Sequence, residues 1–268
     1  MPRYRKCTSS CQTNSPHDTC LKMTEIKTRL QTLQKEIAHA ALSKGRDPKE
    51  IKLIAVSKGQ SLEKIKEAID CGLTSFGENY VQEFLEKWKV LDPKASWIFI
   101  GHLQTNKVKY IIDKVSEIHS VDSLKLFQTI QKEAQKARKK IPLLIEINIG
   151  GEKTKSGIPF HDVFAFFKEI LRAYGSQDDR RFSQNDMGIP IHGLMAIPPY
   201  FDDSEKGRPY FQKLRTLKEE LNQKFPNLNL TELSMGMTHD FKIAIEEGAT
   251  HIRVGEGIFG KRREKTKH

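Results

Sequence analysis

Ile26, Leu30, Leu33, Ile37 and Ala41 recur at intervals of three and four, which predicts an amphipathic helix from Met23 to about Lys44. The polar stretch SKGRDPKE breaks that pattern. Beyond it, short apolar runs alternate with amphipathic stretches. The runs are IKLIAVS (51–57), TSFG (74–77), WIFIG (97–101), EIHSV (117–121), LLIEINI (143–149), IHGLMA (191–196), LTELS (230–234) and HIRV (251–254). Helical patterns such as SLEKIKEAIDCG, DSLKLFQTIQKEAQKARKK and DFKIAIEEG fill the gaps, the last closing on Gly248, a helix-terminating residue. Eight strands alternating with helices predict an α/β fold, a single (β/α)8 TIM barrel with one extra helix in front. A doubly wound open sheet is the competing architecture. Eight strands in about 205 residues, with no dinucleotide glycine fingerprint, favour closure.

The residues with chemistry gather just after these runs. Lys58 follows the first, GENY (77–80) the second, GHLQTNK (101–107) the third and Asp122 the fourth. GGEKTKSG (150–157), IPP, SMGMTHD (234–240) and VGEGIFG (254–260) follow the last four. Barrel enzymes and ligand-binding barrels build their sites on that C-terminal face. The polar segment 174–190 departs from tight barrel spacing and reads as a surface insertion.

Lys58 is either an ordinary surface charge or a lysine kept deprotonated for chemistry by an apolar wall. The glycine-bearing loops after the seventh and eighth strands sit where barrels often hold phosphate, with Ser234 and the N–H groups around Gly236, Gly255 and Gly257 as donors. In HIRVG, alternation sends Ile252 and Val254 to the helices and Arg253 into the barrel mouth. A buried guanidinium needs a carboxylate or a ligand acceptor. A phosphate site, an inward arginine and a strand-end lysine suit a phosphorylated aldehyde held as a Schiff base. Pyridoxal 5′-phosphate meets all three, and a sugar phosphate in a Schiff-base aldolase meets the lysine and the loops equally well.

Composition narrows the classes. No run of about 18 apolar residues exists to span a membrane. The net charge of +11 suggests nucleic acid, but residues 1–22 hold a net +3 and the tail 261–268 a net +4, leaving about +4 for the body. The excess aids solubility and defines no dedicated nucleic-acid groove. Residues 1–22 read as a disordered basic tail, 23–260 as the barrel and 261–268 as a second basic tail. Cys7, Cys11 and Cys20 with His17 match no standard metal-ligand spacing, so no metal is expected. Cys71 as the lone cysteine of the body suits a reducing cytoplasm.

AVSKGQ, FGENYVQE, WIFIGHLQTNK, VDSLKL, INIGGEKTKSG, GLMAIPP and LSMGMTHDFKIAIEEGATHIRVGEGIFGKR resemble, in order, the pyridoxal-phosphate homeostasis protein family. The resemblance covers about residues 24–262 and implies the fold type III barrel, similar to the N-terminal domain of alanine racemase. It implies pyridoxal phosphate bound at Lys58, contacted by Asn79, with Ser234 and the loop at Gly255 as phosphate ligands and Arg253 at the ring nitrogen; the loop reading adds Gly236 to these cofactor-binding residues. The family often has a histidine where Ile98 stands and a small hydroxyl residue where Glu256 stands, which leaves the phosphate to Ser234 and backbone donors.

Arginine cannot keep a ring nitrogen protonated as an acidic partner does, although that alone does not forbid racemisation, since alanine racemase uses an arginine there too. A racemase of this type also needs an opposed acid/base pair, with one member from a second domain, and this chain spends its residues on one barrel. The expected protein is therefore a non-catalytic, monomeric carrier that holds pyridoxal phosphate on Lys58 and passes it to recipient apoenzymes. The alternative is a weak single-domain racemase, with a nucleic-acid module third.

Overall fold

The computed structural model describes residues 24–91, 95–152, 154–173 and 189–261. Both basic tails, apart from Lys261, and nearly all of the 174–190 insertion lie outside the described residues. Thr24 caps the first helix, α1 (Glu25–Leu42), by accepting from the Lys27 N–H, and Ile26, Leu30, Leu33 and Ile37 form its buried stripe. That helix packs on α8 (Phe241–Glu246) and α9 (Glu256–Phe259), the last two helices among the described residues.

The strands are β1 (Lys52–Val56), β2 (Ser75–Glu78), β3 (Ser96–Phe99), β4 (Glu117–Val121), β5 (Leu143–Asn148), β6 (Ile158–Pro159), β7 (Ile191–Ala196), β8 (Glu232–Met237) and β9 (His251–Val254). All pairings are parallel. β1 pairs with both β2 and β9, and the β4–β5 and β5–β7 ladders complete the ring. Eight strands thus form the closed barrel, and the two-residue β6 is an addition on β5 that was not legible in the sequence. The outer ring includes α2 (Leu62–Asp70), α3 (Val81–Trp88), α4 (Val108–Ile111), α5 (Leu124–Lys136), α6 (Val163–Ala173) and α7 (Arg208–Lys224). Ser61 and Ser123 cap α2 and α5 through their hydroxyls. Among the described residues no helix is long and apolar enough to cross a membrane.

The main core lies between strands and helices. Within the barrel, Ile54, Val56, Ile98 and Ile100 form a separate apolar cluster on the β1 and β3 side. Much of the remaining interior is polar: Glu117, His119, Glu146, Ser234, His251 and Arg253 are all buried. A barrel with charges along its axis needs each of them satisfied, and that requirement shapes the site.

One boundary differs from the sequence expectation. The seventh barrel strand, β8, runs on to Met237, so Ser234 and Gly236 lie within it and not in the loop that follows. The ladder to β9 shifts register between Ser234 and Met237, and Gly236 adopts φ +91° there. A Cβ at Gly236 would stand 2.5 Å from the Ala244 Cβ, so this glycine admits α8 close to the strand.

Candidate cofactor-binding site

β1 ends at Val56, and the Ser57 carbonyl accepts the Gln60 N–H at 3.0 Å to close a turn with Lys58 and Gly59 at its centre. Gly59 has φ +70°, the left-handed value that this turn needs at its third residue. Lys58 is half-buried at the C-terminal end of the strand. Gly255 lies against the same strand end: its Cβ position would be 3.4 Å from the Val56 carbonyl oxygen. The β1–β2 pairing of Val56 with Gly77 brings Asn79 to the neighbouring strand end.

Asn79 is fixed by a close approach of backbones. A Cβ on Gly101 would meet the Asn79 carbonyl oxygen at 2.3 Å, so only glycine fits after β3. The Asn79 Oδ1 is shielded from solvent and has no hydrogen-bond partner among the described residues. Beside it opens a cavity of about 720 Å³ with Tyr80, Val81, Leu85, His102 and Tyr110 in its walls. Lys58 and Arg253 are not part of that lining, so the cavity flanks the mouth and is not centred on it.

Arg253 is fully enclosed and donates to the Ser234 hydroxyl at 2.7 Å and the Ala196 carbonyl at 3.0 Å, both neutral oxygens. Burial pulls its pKa down to about 10, against the opposing charges of Asp240 and Glu146. Ser234 in turn stands 3.1 Å from His119 Nδ1, whose Nε2 is 2.8 Å from Glu117 Oε2. Lys52 bonds the other Glu117 oxygen, and His251 Nε2 lies 3.7 Å from Oε2. Although burial by itself raises it, hydrogen bonds and charge from His119 and Lys52 hold the Glu117 carboxyl down at about 2. Burial lowers both imidazoles, His251 to about 4, so they are neutral at pH 7. Ligand-type atoms of Glu117, His119 and His251 lie within 4.8 Å of one another, but the carboxylate is already ion-paired with Lys52 and hydrogen-bonded by His119.

Glu146 faces this set from β5. Its Oε1 accepts from Ser156 Oγ at 3.0 Å, while Oε2 is buried with no partner among the described residues. Burial pushes the carboxyl up, and the nearby charge of Arg253 only partly offsets it. Asp240, also raised by burial, accepts from the Met237 N–H at 2.6 Å and bears on Arg253 from the other side.

At the end of β9, the strand neighbouring β1, Gly255 is the N-cap of the short α9, and the Gly257 N–H points at Thr238 Oγ1, 3.4 Å away. Glu256 is exposed, as is Thr238. The structure therefore brings Lys58, Asn79, Arg253 and Gly255 to one face of the barrel. Ser234 is buried beneath them as the support of Arg253, and Gly236 is occupied with packing α8. Three residues went unnoticed in the sequence: Thr238, Glu146 and Lys87. Thr238 is the first hydroxyl beyond the true end of β8, and Glu146 is the one charge in the mostly apolar run LLIEINI. Lys87 lies behind the Lys58 turn, donating to the Ser57 carbonyl at 2.6 Å.

Residues 30–263 match the family model for the alanine racemase N-terminal domain. A pyridoxal phosphate homeostasis protein of Aquifex aeolicus is 44% identical over 236 residues, which span 88% of this chain and 97% of the relative. The chain belongs to this family. The human pyridoxal phosphate homeostasis protein is 34% identical over 249 residues, covering 87% of this chain and 85% of the relative. Among solved structures, PipY of Synechococcus elongatus with PLP bound superposes with a TM-score of 0.71 at 34% identity, covering 88% of this chain and all of PipY. Alanine racemase of Streptomyces coelicolor shares the fold at a TM-score of 0.59 and 14% identity, and the match covers 87% of this chain and 58% of that enzyme.

Proposed function

We propose that this chain binds pyridoxal 5′-phosphate on Lys58 and serves as a carrier of that cofactor, not as a catalyst. The observation that carries the reading is the convergence of Lys58, Arg253 and the Gly255 loop at one strand-end face, in a family whose member PipY has been solved with PLP bound. The residues present fit the group. The Lys58 amine suits an aldehyde, and Arg253 keeps guanidinium N–H groups beyond the two donated to Ser234 and Ala196. Thr238 and the backbone at Gly255 and Gly257 offer neutral donors to a phosphate, while exposed Glu256 leaves that rim free of a buried carboxylate. Bound pyridoxal phosphate supplies a reactive aldehyde and an electron-sink ring.

Arg253 is compatible with a carrier but does not by itself decide for one. It is a donor with no accepting atom, so it orients a ring nitrogen without keeping a proton on it. The homeostasis name of the relatives supports the same reading. Lys58 then binds reversibly, and a competing amine releases the cofactor. The test is a pair of measurements on the loaded protein: turnover of a panel of amino acids, and transfer of cofactor to an apoenzyme that needs it. The proposal expects transfer without turnover. Racemisation or decarboxylation at the roughly 1–1000 per second typical of enzymes would overturn it.

A further inference from the structure

The proposed binding residues leave a buried charge cluster behind Lys58 unexplained. Lys87, on α3, is only 5% exposed. Its ammonium donates to the Ser57 carbonyl at 2.6 Å, to Glu78 Oε1 at 2.6 Å and to Glu83 Oε1 at 2.7 Å. Those three bonds use all three of its protons. The Ser57 hydroxyl also donates to Glu78 Oε1, at 2.6 Å, and the Gly59 N–H donates to Glu83 Oε1 at 2.5 Å.

The backbone on either side of Lys58 is therefore held by one ion-paired set: Ser57 by Lys87, and Gly59 by Glu83. We infer that Lys87 and Glu83 are positioning residues that clamp the Lys58 turn and fix where its amine stands. The inference rests on the reading of Lys58 as the attachment point.

Stability alone is a poor reason for such a set, because an apolar replacement of a buried ion pair is often neutral or better. An apolar side chain at position 87 alone reproduces the packing but loses the bond to Ser57 and leaves the buried Glu78 carboxyl without its cation. The turn needs that hold. Ser57 is buried, but Gly59 sits at φ +70° and is exposed, so the bond from its N–H to Glu83 is what holds that side of the turn. Helix α3 supplies both clamps one turn apart, at Glu83 and Lys87, and starts two residues after Asn79. A rigid element thus sets the register between the Asn79 loop and the Lys58 turn.

The test uses K87M, E83A and E83Q in the full chain. Three quantities are read: the rate of cofactor uptake, the position of the visible absorption band, and the melting temperature as structural control. Gln keeps an acceptor for the Gly59 N–H, whereas Ala does not. The inference expects K87M and E83A to take up cofactor about tenfold more slowly or worse, with a displaced band, and E83Q to restore most of the rate. If K87M does not fold, the E83A and E83Q pair decides, since Glu83 is partly exposed. Folded K87M or E83A with wild-type uptake and band would overturn the inference, as would equal defects in E83A and E83Q. Failure of the wild-type chain to attach cofactor at Lys58 would instead overturn the functional reading.

Discussion

Arg253 Nη1 lies 2.7 Å from Ser234 Oγ inside the barrel, and Ser234 is wholly enclosed. In the proposed binding mode the serine therefore acts on the cofactor through the arginine that it orients. The proposal thus divides the work between two hydroxyls: exposed Thr238 faces the phosphate, and buried Ser234 lies beneath it.

That division is measurable. S234A leaves a buried guanidinium N–H without its acceptor and is expected to cost about 1–3 kcal/mol of stability, with weakened cofactor binding. T238A removes an exposed hydroxyl and is expected to leave stability within about 0.5 kcal/mol while weakening the phosphate-bearing cofactor more than pyridoxal. Denaturant unfolding and titration with both vitamers check this. Equal discrimination between the vitamers by the two variants would place Ser234 on the phosphate after all.

The polar floor predicts acid lability in two stages. The folded pKa of His251 is lowered from 6.5 to about 4, so the unfolded chain binds the extra proton first and stability falls as pH drops through that window. The depressed Glu117 carboxyl extends the loss from about 4.5 towards 2. For His251 alone the loss amounts to roughly 2–4 kcal/mol across its window. Unfolding midpoints for wild type and H251N from pH 7 to pH 4 are expected to diverge at the high end and converge at the low end.

Glu146 gives the opposite sign. Burial raises its folded pKa, so its contribution to stability is full below the ordinary carboxylate range and is lost as pH rises through the folded value. E146Q keeps the shape and removes the ionisation. It is expected to be at least as stable as wild type at pH 8 and to lose that advantage at pH 4. Thermal melts at the two pH values are sufficient to check it.

Much of the barrel was legible because its signal is local. The eight apolar runs match the eight barrel strands to within a few residues, and alternation in HIRV correctly turned Arg253 inward. The end of β8 was not legible: Gly236 reads as a loop residue, and only the register shift against β9 and the approach of Ala244 keep it in a strand. Glu117 and His119 alternate in EIHSV, yet their partnership with Lys52 and His251 is set by strands far apart in sequence. Glu83 and Lys87 look like an exposed i, i+4 pair on a helix. Tertiary placement of α3 over Ser57 buries the lysine, and no periodicity foretells that.

The central claim is that Lys58 carries the cofactor. Incubation with pyridoxal phosphate, reduction with borohydride and peptide mapping test it directly. The expected result is one modified peptide containing Lys58, with the modification and the visible band both absent from a folded K58A variant. Reduced cofactor on Lys107 or Lys155, or undiminished labelling of K58A, would contradict the account.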